Sequence, residues 1–287
     1  ADIRPMPCPG TVHVGVTYVG AGVPSAGNNA SVTPPPPAGL SAGDPDTGRG
    51  PDLLLCAAAI RNSGTGTVNV PDGWNQVVAS GNFAVLMKYS EGSTEPTPTV
   101  TFSGGAANAT TIAQCFAFRN VYPNMALVVP LTATQLNGSA QDIAYPARTV
   151  AIDGCAVVVI GWKQDDWTSV AQISGMIEGF DSPSALGDDA GIVMDYVVQT
   201  TAANLSSGSL VVTGGGAAIS RAIVLVIGPD LGYPWSTTAA DYPIDLDVGG
   251  VKIVATACSD TVTPQAMTIN AAPVARTREV NEKSSFM

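Results

Sequence analysis

Histidine is almost missing from this chain: a single one, His13, occurs in 287 residues. Nucleophilic catalysis by serine or cysteine needs a base held beside the nucleophile. One imidazole on the polar face of an N-terminal strand reads as a surface group instead. No G-x-S-x-G elbow occurs, none of the four lysines closes a G-x-x-x-x-G-K loop, and G-x-G-x-x-G is absent despite 31 glycines. Hydrolase and nucleotide chemistry built on those motifs is excluded, and the expectation is a protein that is not an enzyme.

Charge is scarce too, at 12% of residues, and positive charge is scarcer still. Twelve lysines and arginines stand against 23 aspartates and glutamates, a net charge of -11. A chain of that sign repels a phosphate backbone, and its basic residues form no patch or stripe, so nucleic acid is not an expected partner. No apolar run approaches the roughly 18 to 20 residues that a membrane helix needs. Residues Ala1 to Gly10 lack the basic and hydrophobic regions of a signal peptide, which points to a soluble chain that has lost its initiator methionine, with no membrane partner. The five cysteines, Cys8, Cys56, Cys115, Cys155 and Cys258, are odd in number and widely spaced. That pattern suits neither a disulfide framework nor a zinc site, so they are read as small buried hydrophobes in a reducing compartment.

What the chain does have is strand-length apolar runs separated by turns. Val12, Val14, Val16 and Tyr18 alternate with His13, Gly15 and Thr17, the period of a half-buried strand. Gly20 to Pro51 is rich in turn formers and holds Pro34 to Pro37, expected as polyproline II. Further strands are predicted at Leu53 to Ile60, Phe83 to Tyr89, Thr97 to Phe102, Thr111 to Phe118, Arg148 to Ile152, Cys155 to Trp162, Gly191 to Gln199, Ser209 to Thr213 and Ile219 to Ile227. Pro71-Asp72-Gly73-Trp74 marks a turn between two of them. Ile244 to Ala257 and Thr261 to Ile269 form one more pair, and Arg276 to Met287 is a polar arm without periodicity.

The halves echo one another in order. Leu53 to Ile60 resembles Cys155 to Trp162, Phe83 to Tyr89 resembles Ile192 to Val198, Val100 to Gly105 resembles Leu210 to Gly215, and Ile112 to Phe118 resembles Ile219 to Leu225. Each half alone offers only four or five clear strands with long exposed edges. Strands of both halves could therefore interleave in one two-sheet sandwich, or each half could fold separately, and the single interleaved sandwich is the expected solution. The predicted fold is all-β, a jelly-roll-like antiparallel β-sandwich over residues 11–229, with an N-terminal arm at 1–10, a small β extension at 230–275 and a C-terminal arm at 276–287.

Three kinds of site remain open to such a chain. Glu178, Asp181, Asp165, Asp166, Asp188 and Asp189 could supply the paired acids of a glycosidase, although clustering between strands is also what solvated acids do. A loop site for Ca2+ could draw on Asp44, Asp46, Asp165 or Asp188, but not in a helix-loop-helix geometry, because Leu55 stands where its closing glutamate belongs. Trp167, with Asp165 and Asp166 beside it, is the candidate glycan-facing set, an aromatic platform next to polar groups. Trp74 and Trp162 are expected to be core anchors.

Several of these motifs together look like a known architecture. Gly43-Asp44 before Asp52-Leu53-Leu54-Leu55, Pro71-Asp72-Gly73-Trp74, Lys88-Tyr89-Ser90-Glu91-Gly92, Val100-Thr101-Phe102-Ser103 and Phe116-Ala117-Phe118-Arg119-Asn120-Val121 follow in succession. The stretch Thr11 to Pro229 resembles the jelly-roll-like β-sandwich modules of tailed-phage virion structural proteins, such as head spikes, capsid fibres, decoration proteins and tail appendages. Arg148-Thr149-Val150, Cys155 to Ile160 and Ala222 to Val226 match the second half of that pattern. The insertion Pro45 to Pro51 and the extension beyond Gly228 depart from it.

The resemblance implies a virion location with assembly in a host cytoplasm. It also implies a homotrimeric assembly, contacts with other virion proteins through the two arms, and a host surface glycan as the alternative partner. No catalytic or cofactor residue carries over from it.

Overall fold

The computed structural model describes residues 15–43, 50–61, 66–121, 131–150 and 153–230, together with two strands at 244–248 and 251–255. The described elements are all strands. The first half contributes β1 (Thr17–Ala21), β2 (Ser25–Asn28), β3 (Leu53–Ile60), β4 (Thr67–Asn69), β5 (Asn75–Ser80), β6 (Phe83–Tyr89), β7 (Thr101–Ser103) and β8 (Thr110–Arg119). The second half contributes β9 (Leu131–Ala140), β10 (Ile143–Tyr145), β11 (Ala156–Lys163), β12 (Ser169–Ala171), β13 (Ile177–Ser184), β14 (Ala190–Val198), β15 (Gly208–Thr213) and β16 (Ala218–Ile227).

The sheets follow one rule twice. In the first half the large sheet runs β1-β8-β3-β6-β5, and β4 pairs with β7 in a small outer sheet. In the second half the large sheet runs β9-β16-β11-β14-β13, and the outer sheet runs β10-β15-β12. Adding eight to each label of the large-sheet order turns one order into the other, except that β2 continues the β1 edge by pairing with β8 instead of joining the outer sheet. A first, eighth, third and sixth strand side by side, covered by the second, seventh and fourth, is the jelly-roll order of two Greek keys. In the first half the place of the second strand in the outer sheet is kept by a bridge between Val32 and Val100.

The fold is thus all-β and jelly-roll-like, but strands from the two halves do not interleave. Each half closes its own jelly roll, and the large sheets then stack face to face. The reason lies in the central strands, which carry apolar residues on both faces rather than at alternate positions. Leu53, Leu55, Ala57 and Ala59 point into a core shared with Ala156, Val158, Ile160 and Trp162 of the other half. The opposite face, Leu54, Cys56 and Ala58, packs under the first outer layer with Trp74, Val32 and Leu40. Cys155, just before β11, and Val157 and Val159 on it form the outward face, which packs under the second outer layer with Leu210, Val212 and Trp167. A run buried on both faces needs a cover on each side, so three apolar layers separate four sheets.

β1 lies against β13, β8 against β14, and β5 against β9. Exchanging the halves maps the first of these contacts onto the third. Register makes the equivalence specific. Leu53 pairs with Tyr89 and Phe118, and Ala156 pairs with Val198 and Ile227. Leu53 therefore corresponds to Ala156, and Ile112 to Arg221. The sequence echo set Leu53 against Cys155 and Ile112 against Ile219, one and two residues out. A one-residue slip exchanges the two faces of a strand, an error that a run apolar on both faces conceals.

The turn chemistry repeats as well. The Trp74 N–H donates to the Pro71 carbonyl at 3.1 Å, and the Met176 N–H donates to the Ile173 carbonyl at 2.9 Å. The third residue of each turn is a glycine in the left-handed region, Gly73 at φ 78° and Gly175 at φ 81°.

Beyond the double roll the chain divides between Tyr242 and Pro243. There β17 (Ile244–Val248) pairs with β18 (Val251–Ala255) as an antiparallel hairpin. The single strand expected over Ile244 to Ala257 is thus split in two. The expected strand Thr261 to Ile269, both arms and Val12 to Val14 lie outside the described residues.

Candidate functional site

Three of the acids singled out in the sequence converge at the end of β11. Asp165, Asp166 and Asp189 offer carboxylate oxygens all within 4.8 Å of one another. Asp165 and Asp166 follow β11 directly, and Asp189 ends the β13–β14 loop with φ at 65°. Asp165 Oδ2 accepts the Gly216 N–H. Gly215 turns there at φ 68°, and a Cβ on it would stand 2.1 Å from the Asp166 carbonyl oxygen, so only glycine fits. The Asp189 carbonyl accepts Arg61 Nη1 at 2.9 Å, which ties the cluster to the first half.

Lys163, the last residue of β11, is fully buried, and its Nζ lies 3.8 Å from Asp165 Oδ2 without a hydrogen-bond partner. Burial lowers its pKa, while the charges of Asp165, Asp142 and Asp166 oppose that shift. The three carboxylates are of the type that binds Ca2+, but the lysine ammonium already supplies a positive counter-charge beside Asp165. Asp188 is exposed and joins the first half through its backbone N–H, which donates to the Asn108 carbonyl at 3.0 Å. Asp44 and Asp46 lie outside the described residues, as does His13.

Trp167 is not a surface platform. It is 5% exposed, and its Nε1 donates to Asp181 Oδ1 at 2.5 Å. Its ring covers Gly191, where any Cβ would stand 2.4 Å from it. The polar neighbours in sequence concealed this, because the apolar partner is bare backbone on another strand. A glycine inside an otherwise apolar strand was the available signal. Trp74 and Trp162 are core residues, 9% and 0% exposed.

The remaining acids described in detail mostly hold loops. Asp181 Oδ2 accepts the Val170 N–H at 2.8 Å, Asp142 Oδ1 that of Val212 at 3.0 Å, and Asp153 Oδ1 that of Ala202 at 2.7 Å. Asp52, fully buried, pairs in a fork with Arg119: Nε to Oδ1 at 2.8 Å and Nη2 to Oδ2 at 2.7 Å. That bond raises the Arg119 pKa further. Lys88 Nζ reaches Glu91 at 2.9 Å and the buried Glu95 at 2.8 Å. The motif residues behind the sequence resemblance, Asp52, Lys88, Glu91 and Arg119 among them, are therefore architectural.

Sequence reasoning missed Asp195, which sits in the middle of β14, 1% exposed. Its Oδ2 accepts the Ile173 N–H at 2.6 Å and so anchors the Gly175 turn. Burial pushes its carboxyl up to about 6, the Ile173 N–H pulls it down, and Glu178 and Asp181 add to the rise. An acid alone in an apolar strand run was the signal for it.

Compared with protein-family models, with curated proteins and with solved structures, the chain matches none.

Proposed function

We propose that this protein is a non-enzymatic structural protein of a virion, either decorating or forming a spike on the head or belonging to a tail appendage. It is assembled in the host cytoplasm. The observation that carries this reading is where the acidic side chains go: the buried Asp52 and Asp195 and the half-buried Asp142 and Asp181 each accept a backbone N–H of another segment. Asp165 also ties the Gly216 turn. Tight loop anchoring around three apolar layers suits a building block that must keep its shape under load. Jelly rolls serve capsid and lectin proteins alike, so the fold favours an assembling or adhesive role without naming one.

Leu136 on β9 and Ile177 on β13 are 60% and 54% exposed on edge strands, and such edges are usually covered in a finished assembly. The protein accordingly works as a homo-oligomer, a trimer on this reading, with the segments 1–10 and 276–287 reaching neighbouring virion proteins. Electron microscopy of the purified protein, alone and mixed with candidate particles, is the test. Ordered oligomers and regular particle decoration are expected. A monomer that never joins a particle, or saturable glycan binding without assembly, would replace this function with another.

A further inference from the structure

Two of the buried cysteines face each other in the first jelly roll. Cys56 on β3 and Cys115 on β8 are direct register partners. Both are free thiols, 0% exposed, in the layer beneath the Pro34 segment.

Hydrogen bonds around the pair fix its type. The Cys115 carbonyl accepts from the Gly22 N–H at 2.8 Å, so Cys115 turns its backbone groups away from β3. One position along the same ladder past Ile60 and Thr111, the Arg61 N–H donates to the Thr110 carbonyl at 2.7 Å, and the Ile60 N–H instead reaches the Asn82 carbonyl at 3.0 Å. Counting back in twos from Ile60 makes Cys56–Cys115 a non-hydrogen-bonded pair. In such pairs the Cα atoms stand roughly 4.5 Å apart, where side chains come closest. That separation lies inside the range a disulfide spans.

We propose that Cys56 and Cys115 form a latent cross-strand disulfide, closed when the protein meets a disulfide oxidant such as oxidised glutathione. One thiolate attacks the oxidant, releases one reduced glutathione and leaves a mixed disulfide. The second thiolate then displaces the other glutathione and closes the S–S bond. Two protons leave the protein, and two electrons pass to the oxidant. As folded, the pair is held as thiols. Its hydrogen bond with Cys56 and its burial raise the Cys115 thiol, which also donates to the Pro34 carbonyl at 3.5 Å. Attack therefore waits on opening of the outer layer, and closure is slow but directed to this pair.

The second half supplies the control. Its equivalent of Cys56 and Cys115 is Val159 and Val224, which are also direct partners. Valine thus fills this site in the same fold, and the double variant Cys56→Val/Cys115→Val is expected to fold.

The full chain is incubated with oxidised glutathione under native conditions, then mapped by mass spectrometry without reduction. The expected result is one cross-linked peptide joining Cys56 and Cys115, with the buried Cys155 still a free thiol. The melting temperature should rise, because a cross-link across a long loop constrains the unfolded chain, and reductant should reverse it. The double valine variant should show neither the cross-link nor the rise. Retention of Cys56 and Cys115 as free thiols overturns the proposal, as does a cross-link joining either of them to another cysteine or the same rise in the variant.

Discussion

Asp195 is the residue whose ionisation opposes the fold most directly. Its carboxyl is raised to about 6, chiefly because burial disfavours the charge. The folded protein therefore holds a proton that the unfolded chain releases between about pH 4 and about pH 6. Stability from this group is present at the acid end and is lost as pH rises through that window. Asp195→Asn carries no charge at any pH and keeps an acceptor for the Ile173 N–H. Relative to the parent, the variant should gain about 2 to 3 kcal/mol between pH 4 and pH 7. Denaturant titrations at both pH values check this, and a pH-independent difference would count against it. Gly73 and Gly175 give a second comparison at this scale. Both sit at positive φ with open space around the missing Cβ, so backbone strain is the only cost of alanine. Gly73→Ala and Gly175→Ala should each lower stability by about 1 to 2 kcal/mol. Unequal losses in thermal unfolding would mean the two turns are not equivalent.

Among the elements, those with long apolar runs were legible and the short polar ones were not. Leu53–Ile60 and Phe83–Tyr89 have the bounds their composition predicts. Thr67–Asn69 and Ser169–Ala171 are three residues each, with one buried side chain between two exposed ones. Too little periodicity exists there to separate a strand from a loop. Ser25–Asn28 is held by pairing with β8 rather than by its own residues. Of the outer layers only β15 and part of β7 were expected, and without the other outer strands each half looked too small to close. The same limit applied to the acidic cluster. Asp165 and Asp166 were adjacent in sequence, whereas Asp189 joins them through a loop whose path depends on Asn108 and Arg61. Edge strands offer a test of assembly at this scale. Leu136→Lys places a charge on β9 where the side chain is 60% exposed, so the monomer should lose less than about 0.5 kcal/mol. Oligomerisation should weaken if that edge is covered in the assembly. Sedimentation against melting temperature separates the outcomes: unchanged association removes the β9 edge from the interface.

For the whole molecule, the decisive quantity is how strongly the two rolls depend on each other. Their shared layer contains Phe83, Phe116 and Phe118 from one half and Trp162, Phe180 and Ile192 from the other. Polar ties cross it as well: Ser182 Oγ with Gln114 Oε1 at 2.7 Å, and Arg221 Nε with Asn82 Oδ1 at 2.9 Å. Separating the halves would expose both inner sheet faces to water, at a cost of roughly 25 cal/mol for every Å² of apolar surface. Neither roll keeps that face covered alone, so the two should unfold as one unit despite their duplicate topology. The cysteines report on this under reducing conditions, because Cys56 and Cys115 lie in one half and Cys155 in the other, all buried. Pulsed thiol labelling across a denaturant series should expose all three at a single midpoint. Trp162→Ala sharpens the test, since it removes a second-half side chain whose ring stacks 6.3 Å from Phe83 of the first half. The loss of about 3 to 5 kcal/mol expected for a buried tryptophan should move the midpoints of Cys56, Cys115 and Cys155 together. If only Cys155 moves, the halves are separate folding units and the shared core is an interface between two domains.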